Sequence, residues 1–257
     1  MFFIIIFYLC SQIFKTQKMS YSGNGDKISI LSSLDLKAFF FDMDGVLFDS
    51  MPNHAKAWVY AFEQEGVKFD EYGAYMREGM TSVGTVNDVF RLRLGRDATE
   101  EECKKIYKTK SDCFDTLDLT KIIPHVTDVL QVVKDAGLEI FIVTGSGQLS
   151  LLDVLNDYFP GFFQQEKMVT AFDVKKGKPD PEPYLMALQK GNLRPDQVVV
   201  IENAPLGVRS AVAAGIFTIA VNTGILKDEE LINNGADLVY KDMKSLYEDL
   251  LIVMNGK

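Results

Sequence analysis

Apolar residues fall into four short runs along this chain: Ala38-Phe39-Phe40-Phe41, Leu138-Glu139-Ile140-Phe141-Ile142-Val143-Thr144, Val198-Val199-Val200-Ile201-Glu202 and Phe217-Thr218-Ile219-Ala220-Val221. They read as strands buried on both faces, the pattern of a parallel sheet rather than of a half-exposed one. Helical patterns accompany them. Val126–Ala136 stops at Gly137, and Leu206–Ala214 stops at Gly215, each glycine placed as a helix terminator. Strands alternating with helices predict an α/β fold built on a doubly wound parallel sheet.

One stretch breaks this alternation. From about Asn53 to Lys121 the chain carries charged, helix-favouring runs, His54–Glu65 and Glu100–Lys110, and no convincing buried strand. It predicts an all-helical insert that forms a lid over the carboxyl ends of the strands, hinged near Ser50–Pro52 and Ile122–Pro124. The expected organisation is a core domain from 19–52 and 122–257 with a helical cap from 53–121.

Composition narrows the class. With 257 residues, 47% hydrophobic and 25% charged, the chain suits one core plus an insert in an ordinary globular protein. A net charge of −9 without a basic stripe argues against a nucleic-acid partner. Cys10, Cys103 and Cys113 have neither metal-ligand spacing nor an even number for a disulfide framework, which fits a reducing cytoplasm. The apolar run Phe2–Cys10 has nine residues, about half of what a membrane span needs, and lacks the flanks of a secretory signal. The expected start of the native chain is Met19, with residues 1–18 an upstream extension or disordered, and no membrane partner.

Candidate chemistry clusters where the strands end. Asp42-Met43-Asp44-Gly45 places two carboxylates directly after the first strand, and open α/β sheets bind ligands at the carboxyl ends of their strands. Such residues can serve as nucleophile, metal ligand or general acid/base, although Asp-x-Asp pairs also cap helices and turns. Thr144-Gly145-Ser146 offers a hydroxyl and free backbone N–H groups for a phosphate, or is a plain glycine turn. Lys178, in the proline-rich loop Gly177–Pro183, can neutralise a transferring phosphoryl group, or is a solvated lysine. Glu202 and Asn203 suit a hard cation, or cap the next helix. In the order carboxylate pair, hydroxyl, lysine and acid, these groups share one chemistry: phosphoryl transfer through an aspartyl phosphate with Mg2+ and lysine balancing charge.

From Leu36 to about Leu250 the sequence resembles the haloacid-dehalogenase superfamily of phosphohydrolases. Its four motifs are matched in order by Phe-Phe-Phe-Asp42-Met-Asp44-Gly-Val, Val143-Thr144-Gly145-Ser146, Lys178-Pro179 and Ile201-Glu202-Asn203-Ala-Pro-Leu-Gly207. The insert resembles the small four-helix cap of the β-phosphoglucomutase-like branch. The resemblance implies that Asp42 is nucleophile and metal ligand, and that Asp44 is general acid/base and gives the metal its backbone carbonyl. It further implies that Thr144 and Gly145 hold the phosphate, that Lys178 bridges it to Asp42, and that Glu202 and Asn203 stand at the metal site.

Departures from the mutase pattern set the substrate expectation. Asn203 replaces an aspartate, and Ser82, Gly147 and Gln148 stand where the mutases grip a distal phosphate with arginine, lysine and asparagine. Glu78 replaces a cap lysine, and a carboxylate there could complete the metal shell on closure, a combination resembling an inorganic pyrophosphatase branch. Against this, His54 and Lys110 match a mutase histidine that supports the acid/base aspartate and a mutase lysine that meets substrate. The leading expectation is a monomeric, Mg2+-dependent hydrolase of inorganic pyrophosphate. The alternatives are β-phosphoglucomutase, a small sugar-phosphate phosphatase, and a catalytically silent binding protein on the same fold.

Overall fold

The computed structural model describes residues 24–117, 121–145 and 151–256. An N-terminal helix, α1 (Asn24–Ser32), leads into β1 (Ala38–Phe41). Four helices follow: α2 (Met51–Gln64), α3 (Glu71–Tyr75), α4 (Ser82–Leu94) and α5 (Glu100–Phe114). The chain then alternates through α6 (Val126–Asp135), β2 (Glu139–Val143), α7 (Leu151–Tyr158), β3 (Met168–Val169), α8 (Glu182–Gly191), β4 (Val198–Glu202), α9 (Pro205–Ala213) and β5 (Phe217–Val221). It closes with α10 (Asp228–Asn233), β6 (Leu238–Tyr240) and α11 (Met243–Asn255).

All strand pairs are parallel, in the order β3-β2-β1-β4-β5-β6. Central β1 sends alternate side chains to opposite faces. Phe39 and Phe41 pack with Val126, Leu130 and Val133 of α6 and with Leu246 and Leu250 of α11. Ala38 and Phe40 pack instead with Tyr184 and Ala187 of α8 and with Ala211 of α9. Both faces are therefore covered, which is why the strand sequences lack polar alternation. The four longer strands lie where the apolar runs predict them. The edge strands β3 and β6 were not expected, because two and three residues are too few to carry a pattern.

The helices α2 to α5 gather around a separate apolar cluster that includes Phe62, Phe69, Val86, Phe90 and Ile106. Leu226, from the loop after β5, completes that cluster. The capping box of α5 joins Thr99 and Glu102, and the Thr81 hydroxyl caps α4 by accepting from Gly84 N–H. The two chain crossings between sheet and helices run side by side: Ile123 N–H donates to the Leu47 carbonyl and Asp49 N–H to the Lys121 carbonyl, each at 2.8 Å. No described helix is long and apolar enough to cross a membrane.

Candidate active site

The carboxyl ends of β1, β2 and β4 bring the polar groups together. Asp42 continues the ladder by donating its N–H to Ile201 at 3.0 Å. Its side chain is buried and Oδ1 accepts from Lys178 Nζ at 2.6 Å, across 136 residues of sequence. The same ammonium donates to Glu202 Oε1, also at 2.6 Å. Lys178 is delivered by the loop before α8, where the Glu182 carboxylate accepts from the N–H groups of Lys175 and Lys176 and closes the turn. Thr144 is buried at the end of β2, and its N–H donates to Val169. Ser146, expected in the phosphate cradle, lies outside the described residues, as do Gly147 and Gln148.

Glu202 departs from its expected part as a metal ligand. Oε1 accepts from both Lys178 and Tyr184 (2.8 Å), and Oε2 accepts from the N–H groups of Asn203 and Ala204. Four donors fill its four lone-pair positions. A Cβ at Gly207 would lie 1.9 Å from Oε1, so the first turn of α9 presses directly on this carboxylate. In this arrangement Glu202 holds Lys178 in place.

Asp44 leaves the strand end through a tight turn at Gly45, whose φ of +75° is open to glycine at low cost. Its Oδ1 accepts from Ser50 Oγ at 2.6 Å and faces His54 Nε2 at 3.5 Å. His54 stacks on Phe114 and contacts Lys110 Nζ at 2.9 Å through Nδ1, so α2 and α5 together build a support behind Asp44. His54 and Lys110 thus stand beside Asp44, on α2 and α5.

Glu78, between α3 and α4, reaches the sheet. Its Oε1 and Oε2 accept from Asn203 Nδ2 at 3.1 and 3.0 Å, and both side chains are buried. Gly79 follows with φ +81° and lies against the Lys178 stem, where a Cβ would come within 3.1 Å of Cδ. The Gly79 carbonyl faces both Gly145 and Gly177. The helical unit is thus closed over the strand ends.

The charge balance is lopsided. Four carboxylates, Asp42, Asp44, Glu78 and Glu202, face the ammonium groups of Lys178 and Lys110. Burial, with Glu202 and Asp44 nearby, pushes the Asp42 carboxyl up to about 7 despite Lys178. Burial and the Asp42 charge push Glu78 well above the carboxylate range. Burial would also raise Asp44, but its bonds to His54 and Ser50 outweigh this and hold it low. Lys178, though desolvated, is held above its ordinary value by Asp42 and Glu202, while burial lowers Lys110.

Asn203 Oδ1 is buried and has no hydrogen-bond partner among the described residues. An orphaned buried acceptor costs about 1–3 kcal/mol. A hard divalent cation would satisfy it and offset the excess of carboxylates. The donor set is all oxygen, and among the described residues no three His, Cys, Asp or Glu side chains form a ready-made cage. That suits Mg2+, which takes one or two carboxylates together with substrate phosphate oxygens.

Sequence reasoning missed Tyr184, Ser50 and Thr223. Thr223 Oγ1 donates to the Gly45 carbonyl at 2.6 Å and fixes the turn that follows the two aspartates from the end of β5. None of the three stands in a spacing that signals chemistry; each acts through a contact made only in three dimensions.

Comparison with known proteins follows the same lines. Residues 36–215 match the model of the haloacid dehalogenase-like hydrolases. The chain is 30% identical over 224 residues to the phosphorylated carbohydrates phosphatase of Thermotoga maritima, covering 77% of this chain and 97% of that protein. It is 32% identical over 188 residues to hexitol phosphatase A of Escherichia coli, covering 72% and 83%. A solved structure from Bacteroides vulgatus, provisionally named a beta-phosphoglucomutase, superposes with a TM-score of 0.82 at 50% identity, covering 90% of this chain and 98% of that one.

Proposed function

The chain belongs to the haloacid dehalogenase-like hydrolases, and on that premise we propose that it hydrolyses phosphate esters of small carbohydrates, with Mg2+, through a phosphorylated Asp42. The observation that carries the reading is the buried Asp42–Lys178 pair at a strand end, with Asp44 two residues on and tied to its own support. Oδ1 of Asp42 is engaged by Lys178, so Oδ2 is the attacking oxygen. It forms the P–O bond as the ester P–O bond breaks, and Asp44 gives its proton to the departing sugar oxygen.

Asp44 is ionised in the free protein, and a phosphate dianion arriving beside it raises its pKa toward the protonated form the leaving group needs. After the sugar alcohol leaves, ionised Asp44 takes a proton from water, which attacks the phosphorus as the bond from phosphorus to Asp42 breaks, freeing Asp42 and inorganic phosphate. Lys178 offsets charge on Asp42 and the phosphoryl oxygens, while Thr144 and the Gly145 N–H cradle them. Asp42, the Asp44 main-chain carbonyl and Asn203 Oδ1 would hold the cation, which supplies charge neutralisation at the phosphoryl oxygens.

This order reverses the sequence-based expectation, in which inorganic pyrophosphate leads. Relatives acting on phosphorylated carbohydrates and hexitol phosphates favour its alternative. Ser82 carries no charge to grip a distal phosphate, which favours hydrolysis over isomerisation. A second reading, pyrophosphate, rests on Glu78 as a direct cation ligand bridging to that phosphate.

Phosphate release with Mg2+ from hexose and hexitol phosphates, set beside pyrophosphate and isomerisation of β-glucose 1-phosphate, tests the choice. The highest kcat/KM is expected on a sugar phosphate. Dominant pyrophosphate hydrolysis would overturn the sugar assignment in favour of the second reading, and efficient isomerisation would make the protein a mutase.

A further inference from the structure

The Asn203 side chain is an amide whose two ends differ in one respect: Nδ2 carries protons and Oδ1 carries lone pairs. Nδ2 points at both carboxylate oxygens of Glu78, and Oδ1 is the end left buried without a hydrogen bond among the described residues. Turning the amide over would remove both Nδ2 contacts to the Glu78 oxygens and put the amide oxygen in their place. It is also wedged from below, because the Cα of Gly45 lies where a Cβ would come within 2.0 Å of Nδ2.

Glu78 is held by its own unit. Arg77 donates to Asp88 of α4 at 2.7 Å and to the Gly73 carbonyl of α3 at 2.9 Å, and Glu78 N–H donates to Tyr75 at 3.3 Å. The carboxylate therefore travels with the helices, 125 positions in sequence from Asn203.

We infer that Glu78 is a positioning residue: from the closed cap it turns the Asn203 amide so that Oδ1 faces the cation site, and cation affinity depends on closure through this contact. The inference rests on the reading of the strand ends as a cation-assisted phosphoryl site. Coupling is reciprocal, so a bound cation holds the cap closed by the same factor. It differs from direct ligation by Glu78, which needs the carboxylate charge and would act whatever stands at position 203.

Calorimetric titration of the full chain with Mg2+, in the absence of substrate, separates the two. Losing an orienting partner of a metal ligand weakens affinity by about 10–100-fold, and this loss is expected for Glu78→Met, which fills the space without accepting a hydrogen bond. Glu78→Gln keeps an acceptor for Nδ2 and is expected to retain most of the affinity. In an Asn203→Asp background, whose carboxylate has equivalent oxygens and needs no orienting, Glu78→Met is expected to cause no loss. Equal losses for Gln and Met in both backgrounds would overturn the inference and make Glu78 a ligand or a charge. Should Glu78→Met lower the melting temperature of the cation-free protein, Glu78→Gln alone decides: a loss of tenfold or more overturns the inference. No Mg2+ binding by the parent protein would instead sink the phosphoryl-site reading itself.

Discussion

The Lys178 ammonium lies 2.6 Å from Asp42 Oδ1, with neither group open to solvent. A lysine from the loop before α8 and an aspartate from the end of β1 thus form one buried unit, and Glu202 completes it from β4. Removing one partner of a buried pair leaves uncompensated charge. Lys178→Ala is expected to destabilise the cation-free protein by about 3–5 kcal/mol at neutral pH. Urea unfolding at pH 7.5 and near pH 4, two values of order set by carboxylate titration, checks this. The deficit relative to the parent should shrink in acid as Asp42 takes up its proton.

Asp42 itself opposes folding of the cation-free chain. Its folded pKa, about 7, lies above the unfolded value of 3.8. The folded state therefore binds the proton more tightly, and stability falls as pH rises through that window. Asp42→Asn is expected to abolish turnover and yet stabilise the cation-free protein above pH 7 by at least about 1 kcal/mol, the worth of one pKa unit. Below the unfolded pKa the advantage should vanish. A variant less stable than the parent at pH 8, a value of order one unit above the folded pKa, would contradict this.

Gly207 gives a sharper contrast between propensity and packing. Glycine to alanine inside a helix ordinarily gains about 0.8–1 kcal/mol. Here the new Cβ would sit 1.9 Å from Glu202 Oε1 and 2.1 Å from Cδ. Gly207→Ala is expected to destabilise, by about 1–3 kcal/mol as in overpacked cores, and to lower kcat by displacing Glu202 from Lys178. Thermal unfolding and steady-state kinetics read the two effects separately.

Asp44 depends on its support. Asp44→Asn removes the group that moves the proton, and a loss of about 10²–10⁴ in kcat is expected. His54→Ala removes the hydrogen bond that holds the Asp44 pKa down. Any acid limb of kcat/KM that reports ionised Asp44 should then move to higher pH. An unmoved limb in that variant would show that His54 serves only to pack against Phe114.

The sheet and the strand-end residues were legible in the sequence for a physical reason. Strands covered on both faces must be apolar throughout, so the polar residue that ends each run, such as Asp42, Thr144 or Glu202, marks where the chain leaves the core. The glycine at Gly45 announced the turn that follows. The helical insert was legible from its charged, helix-favouring runs and the absence of a buried strand.

What only tertiary structure decided is how those groups divide the work. Glu202 reads in sequence as a metal ligand, yet Lys178, Tyr184 and two backbone N–H groups consume its lone pairs. Glu78 reads as a cap carboxylate that could complete a metal shell on closure, and only the fold shows that it meets the Asn203 amide. His54 reads as a support for Asp44 and Lys110 as a cap lysine, and only the fold sets Lys110 against the far side of the His54 ring. Sequence fixes which side chains exist and, through periodicity, which strand ends carry them. Hydrogen-bond partners are chosen by approach across more than a hundred residues, and no local pattern encodes that approach.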